Sequence, residues 1–205
     1  MKQEIENDIE LYNRQFELSK QLIGQTIEEV HFYLETTDQD FTEQPNDYGK
    51  SLLKGIDLKT SDLTFSIGNR FTNLGYGLRI DIGRTPDLEY FQDPKRPIGF
   101  KTEILKEKVT ELRIYWMEIP FENETGLYPQ EIEILTDSGY FLLSSIEVNN
   151  GDVNTEFTDE LLVIDSLEKA KELKLGQFGL GNGRLIFKDI NELKEKIKNG
   201  LQQRL

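Results

Sequence analysis

Cysteine is absent from the 205-residue sequence, and histidine occurs once, at His31. Without a thiolate the chain cannot build disulfides, zinc ribbons, iron–sulfur ligation or a cysteine nucleophile. The one imidazole is a candidate general base. It lies inside the apolar run Val30-His31-Phe32-Tyr33-Leu34, and no nucleophile can be placed beside it from the sequence. A partly packed strand histidine is the simpler reading.

Long apolar runs are missing too. Leu161-Leu162-Val163-Ile164 is far below the roughly 18 residues that cross a bilayer. The start, Met-Lys-Gln-Glu-Ile-Glu-Asn-Asp-Ile-Glu, carries acids where a secretory signal has a basic segment followed by an apolar one. These features predict a cytoplasmic protein that does not enter membranes. Positive charge is scarce: 24 Lys and Arg stand against 38 Asp and Glu, a net charge of −14. Nucleic acid is therefore not an expected partner, because phosphate neutralisation needs clustered bases.

What is present is a series of short periodic segments. Ile5, Ile9, Tyr12, Phe16, Leu22 and Ile23 follow i+3 and i+4 spacing and stop at Gly24, which predicts an amphipathic helix over 4–23. Its apolar stripe is expected to dock on the protein's own sheet; an alternative is a docking surface for another subunit. Strands are predicted at 30–34, 63–67, 77–82, 109–119, 131–135, 140–148, 161–164 and 184–187. In Leu78-Arg79-Ile80-Asp81-Ile82 apolar residues alternate with charges, as in a strand with one wet face. Thr136-Asp137-Ser138-Gly139 joins two strands as a hairpin turn. Short helices are predicted from Ser166 and from Asp189 onward. Residues 36–48 read as a long loop and 85–102 as an irregular connection. At this length one domain over 1–205 buries a core without staples. The expected fold is a single α+β domain, a curved and mainly antiparallel sheet with N-terminal and C-terminal flanking helices.

Charge is uneven. Residues 111–165 hold thirteen acids and one base, Arg113, and so carry −12 of the net −14. Such a field attracts basic partners and speeds their encounter. Its expected focus is two loops, Glu122-Asn123-Glu124 near Tyr128, and Asp152 to Glu160 around Phe157. Acids beside an exposed aromatic suit a protein-binding surface, where the ring anchors and the charges steer. The competing explanation is that they serve solubility alone.

Other patterns are weaker. Asn149-Asn150-Gly151-Asp152-Val153-Asn154 lacks the spacing and terminal Glu of a calcium loop and reads as a turn. Gly179-Leu180-Gly181-Asn182-Gly183 precedes a strand where a phosphate loop follows one, and it lacks the Gly-Lys-Ser/Thr ending. Arg79, Asp81, Arg113 and Glu133 are candidates for cross-strand partners on a polar sheet face, or for lining a cleft. No metal or cofactor pattern is read.

With its acidic sector and the hairpin Pro129 to Asn150, the chain resembles the small immunity proteins with which bacteria neutralise their own toxins. The resemblance lies in general character over most of the chain and not in a motif, so it transfers no functional residue. It implies tight binding to a cognate toxin. The expectation is a non-enzymatic module that engages a basic partner protein, such as a toxin, through Glu122, Glu124, Asp152, Glu156, Asp159 and Glu160. The alternative is a hydrolase or sugar-processing enzyme that uses carboxylates on the sheet's polar face, with Asp81 and Glu133 as the first pair.

Overall fold

A computed structural model of the chain describes residues 2–35, 45–46, 49–52, 55–72, 75–85, 98–121, 124–149, 152–154 and 161–202. Helix α1, Lys2–Leu22, follows the periodicity of the sequence. Strand β1, Thr26–Glu35, comes next, then the short β2, Pro45–Asn46, and β3, Gly49–Leu52. After them come β4, Gly55–Lys59, β5, Thr64–Thr72, and β6, Gly75–Ile82. The longest strand, β7, covers Ile98–Phe121, and β8 returns over Glu124–Thr136. Then follow β9, Tyr140–Ser144, the hairpin of β10, Glu147–Asn149, with β11, Asp152–Asn154, and β12, Leu161–Ile164. The chain closes with α2, Leu167–Glu172, a 3-10 turn at Gly176–Gly179, β13, Arg184–Ile186, and α3, Ile190–Gln202.

The strands form one antiparallel sheet in the order β2-β3-β12-β9-β8-β7-β1-β4-β5-β6, with β13 also on β7; β10 and β11 pair apart from it. Strand β7 belongs to two half-sheets. Its residues 98–108 pair with β1, and residues 109–121 pair with β8. The handover is marked by irregularities on each side: the β1 register slips between Ile27 and Glu29, and the β8 register slips between Val109 and Glu111. Lys106, within the first of them, has a left-handed φ of 59°. Bulges bend a strand and increase its twist, which is how one strand serves two differently oriented half-sheets.

Alternation sorts each strand into two faces. Val30, Phe32, Ile56, Leu58, Phe65 and Ile80 from the first half-sheet share a core with Ile114, Trp116, Ile132 and Val163 from the second. Tyr12, Phe16 and Leu22 of α1 and Leu193 of α3 fill the same core. Trp116 is fully buried and meets Tyr12 edge-on at 4.8 Å, Phe16 stacked at 6.0 Å and Phe187 edge-on at 6.2 Å. Tyr12, Phe16 and Leu22 of the predicted α1 stripe are thus buried inside the protein, while Ile23 at its end is exposed. A second, smaller core lies on the opposite face of the second half-sheet, where α2 and the turn after it cover Leu142, Ile146, Leu162 and Ile164 with Ala170, Leu173 and Leu175.

The α+β class, the antiparallel sheet and both terminal helices match the sequence reading. The boundaries differ in places. Residues 98–102, read as irregular, begin β7; Lys101, Thr102 and Ile104 are exposed, so the segment lacks the hydrophobic alternation that marks a half-buried strand. Strand β4 was not foreseen, because Gly55 opens it and Asp57 sits at its centre. Gly55 has φ +144°, and an added Cβ would stand 2.5 Å from the Ile67 carbonyl oxygen, so the close approach of β5 requires glycine. The predicted strand 140–148 is interrupted at Ser145 and Ile146. Of the predicted loop 36–48, only residues 45–46 are described.

Candidate functional site

Three polar regions are candidates, and the strand register locates each. The first is the acidic end of the second half-sheet. Strand β7 runs toward Phe121 and β8 returns from Glu124, while β9 runs parallel in space to β7 and ends at Ser144, beside Leu162 of β12. The β7–β8 turn and the connection from β9 to β12 therefore leave the sheet at the same end. These two connections carry all six acids expected to bind a partner. Glu124 opens β8 opposite Phe121, and Asp152 opens β11 opposite Asn149. Glu122, Glu156, Asp159 and Glu160 lie outside the described residues.

The acidic sector is not uniformly unpaired. Glu111 and Glu133 contact Arg113 at 2.7 and 3.0 Å, Glu131 contacts Arg184 at 3.0 Å, and Glu118 contacts Lys196 at 2.6 Å. Arg184 and Lys196 come from outside the sector, so folding neutralises part of it from a distance in sequence. Tyr128 is buried and cannot anchor a partner from the surface, which corrects the expectation for that ring. Phe157 is outside the described residues.

The second region lies beneath α2. Glu131 and Glu133 alternate with Ile132 on β8 and point away from the main core, both fully buried. Glu131 accepts from the Gly176 amide at 2.6 Å and from Arg184 Nε and Nη2 at 3.1 and 3.0 Å. Glu133 accepts from Arg113 Nη1 at 3.0 Å, the Tyr115 hydroxyl at 2.7 Å and the Tyr140 hydroxyl at 3.1 Å. Burial raises the Glu131 carboxyl above its ordinary value, opposed by Arg184 and the Gly176 amide. Burial and the adjacent Glu133 push both tyrosine hydroxyls upward. The network ties β7, β8, β9, the Gly176 turn and β13 together, and its carboxylates are spent on internal donors.

The third region is the face of the first half-sheet opposite the core. Cross-strand pairing lines up Thr102, His31, Asp57, Ser66 and Asp81 on five neighbouring strands. Asp57 Oδ1 accepts from the Thr85 amide at 2.9 Å and its hydroxyl at 2.6 Å, and Oδ2 accepts from Tyr33 at 2.7 Å. Arg79 Nε contacts Asp81 at 3.1 Å. His31 Nε2 lies 3.2 Å from Glu29, whose other oxygen meets Lys59 at 3.2 Å. His31 and Lys59 hold the Glu29 carboxyl below its ordinary value.

Arg113 and Glu133 are cross-strand partners, as predicted. Arg79 and Asp81 instead share β6, two residues apart. Asp81 and Glu133, the first pair for a hydrolytic reading, belong to separate clusters in different half-sheets and have different partners. Sequence reasoning missed Asp57 and Glu131 as buried acids. Asp57 sits in a strand that was not foreseen, and the partner of Glu131, Arg184, is 53 residues away.

Among the described residues no group of three or more His, Asp or Glu converges as a metal cluster, and no helix is long and apolar enough to cross a membrane. Comparison with family models, with curated proteins and with solved structures finds no match.

Proposed function

We propose that the chain is a non-enzymatic binding module, an immunity or inhibitor protein of bacterial type, acting in the cytoplasm. It neutralises a basic partner protein such as a toxin through acidic connections at one end of its sheet. The observation that carries this reading is the register: the β7–β8 turn, with Glu122 and Glu124, and the β9–β12 connection, with Asp152, Glu156, Asp159 and Glu160, leave the second half-sheet in the same direction, the turn farther out than Ser144. Acids brought to one end of a sheet raise the local negative potential and the encounter rate of a basic protein. The acids that face the interior are already balanced by Arg113 and Arg184.

The test is affinity capture of basic proteins from a bacterial lysate at low and high salt, with the wild type beside a variant in which the six acids become Asn or Gln. The expected result is a basic protein retained by the wild type, weakened by salt and lost with the variant. Equal recovery by both forms, or none by either, would return the acidic connections to a role in solubility.

A further inference from the structure

Four acids of the described chain are fully or almost fully buried: Asp57, Asp81, Glu131 and Glu133. Three of them contact an arginine: Asp81 contacts Arg79, Glu131 contacts Arg184 and Glu133 contacts Arg113. Asp57 alone makes no ion pair among the described residues. Its hydrogen bonds come from neutral groups, the Thr85 amide and hydroxyl and the Tyr33 hydroxyl; Arg84 lies against that tyrosine. A carboxylate removed from water without a compensating charge is costly.

The neighbouring residue on β5 presents a second anomaly. Ser66 is fully buried, and its hydroxyl has no hydrogen-bond partner. Pairing sets Ser66 directly opposite Asp57 on one side and Asp81 on the other. All three stand on the face away from the core, since Phe65 and Ile67 occupy the alternate positions on β5. An orphaned hydroxyl thus lies between two buried carboxylates, one of them hydrogen-bonded by neutral donors.

We propose that the Asp57–Ser66–Asp81 row binds a monovalent alkali cation, Na⁺ or K⁺. The donor set is entirely hard oxygen, with carboxylate and hydroxyl groups and no sulfur, which selects alkali and alkaline-earth ions over transition metals. The charge selects the monovalent class: Arg79 already offsets Asp81, so one negative charge, that of Asp57, remains to be balanced. The cation gives the Ser66 oxygen a partner and Asp57 a counter-charge at once. This site lies in the first half-sheet and is independent of the acidic connections at the end of the second.

The experiment is thermal unfolding of the full chain in NaCl, KCl and choline chloride at equal ionic strength, so that general screening is held constant. A bound alkali ion raises the midpoint over choline by about 3–5 °C at roughly ten times its dissociation constant, and the rise saturates with concentration. Ser66→Ala, which removes only the orphaned hydroxyl, abolishes most of that difference. Ser144→Ala, which removes a buried hydroxyl in the other half-sheet, preserves it. Identical midpoints in choline and alkali salts for the wild type overturn the proposal without reference to any variant. So does a difference that survives in Ser66→Ala or disappears equally in Ser144→Ala.

Discussion

The side-chain amide of Gln15 takes the place of a neighbouring strand for Ile80. Gln15 Oε1 accepts from the Ile80 amide at 2.6 Å, and Gln15 Nε2 donates to the Ile80 carbonyl at 3.2 Å. Strand β6 is the last of its half-sheet, so these backbone groups would otherwise be an open edge. One turn earlier on the same helix, Tyr12 donates to the Leu127 carbonyl of β8 at 2.6 Å. Helix α1 thereby ties the edge strand of the first half-sheet to β8 of the second.

Gln15→Ala is expected to destabilise the fold by about 2–3 kcal/mol, because two buried backbone groups lose their partners together. Urea unfolding measures the total. Amide exchange locates it: protection at Ile80 falls further than at Ile67, which remains inside the sheet. A uniform loss of protection across β5 and β6 would argue against the edge-capping role.

Lys174 occupies a left-handed position, φ 55°, directly after α2. There the Lys174 amide bonds to Lys171 O at 3.2 Å and the Leu175 amide to Ala170 O at 2.9 Å, the pattern that ordinarily ends in glycine. Its side chain is exposed. Lys174→Gly is expected to raise stability by about 0.5–1 kcal/mol through relief of that strain, less the entropy glycine adds to the unfolded chain. Calorimetry of the two proteins decides this, and an unchanged or lower midpoint would contradict it.

Gly176, also left-handed at φ 56°, permits the opposite experiment. A Cβ there would stand 2.9 Å from Glu133 Oε1, while its amide donates to Glu131. Gly176→Ala is expected to cost about 1–3 kcal/mol and to loosen the α2 module first. Near-ultraviolet circular dichroism of Tyr140, beside Glu133, reports the loosening; the single tryptophan, Trp116, lies in the main core and should report only global unfolding.

The buried Glu131 makes a pH prediction with a defined sign. Burial raises its folded pKa above the ordinary value of 4.5, so the folded state binds the proton more tightly than the unfolded state. Stability from this group is gained as pH falls toward the folded value and lost as pH rises through the window above 4.5. Unfolding free energies of the wild type and of Glu131→Gln, measured from acid to neutral pH, should diverge in that window, the wild type losing ground as pH rises. A difference independent of pH would show that Arg184 fully offsets the burial.

Much of this architecture is legible in local patterns. The i+3 and i+4 spacing of Tyr12 and Phe16 marks α1, and alternation from Leu78 to Ile82 marks β6. Thr136 and Gly139 mark the hairpin, closed by the Thr136 amide on Gly139 O at 3.1 Å. Residues 98–108 of β7 are not legible, because that segment pairs through its backbone while many of its side chains face water. Asp57 likewise reads as a surface acid until Tyr33 and Thr85 are folded around it.

The sequence by itself determined the charge, the missing thiolates, the helical and strand periods, and the concentration of acids in 111–165, because each is a property of composition or of near neighbours. Only the tertiary structure decided which acids are spent inside the protein and which connections share an end of the sheet. Glu131 finds Arg184, and Ser66 comes to lie between Asp57 and Asp81, through strand order and register. Hydrophobic patterning fixes which face of a strand is buried. The partner opposite each polar residue depends on contacts made far along the chain.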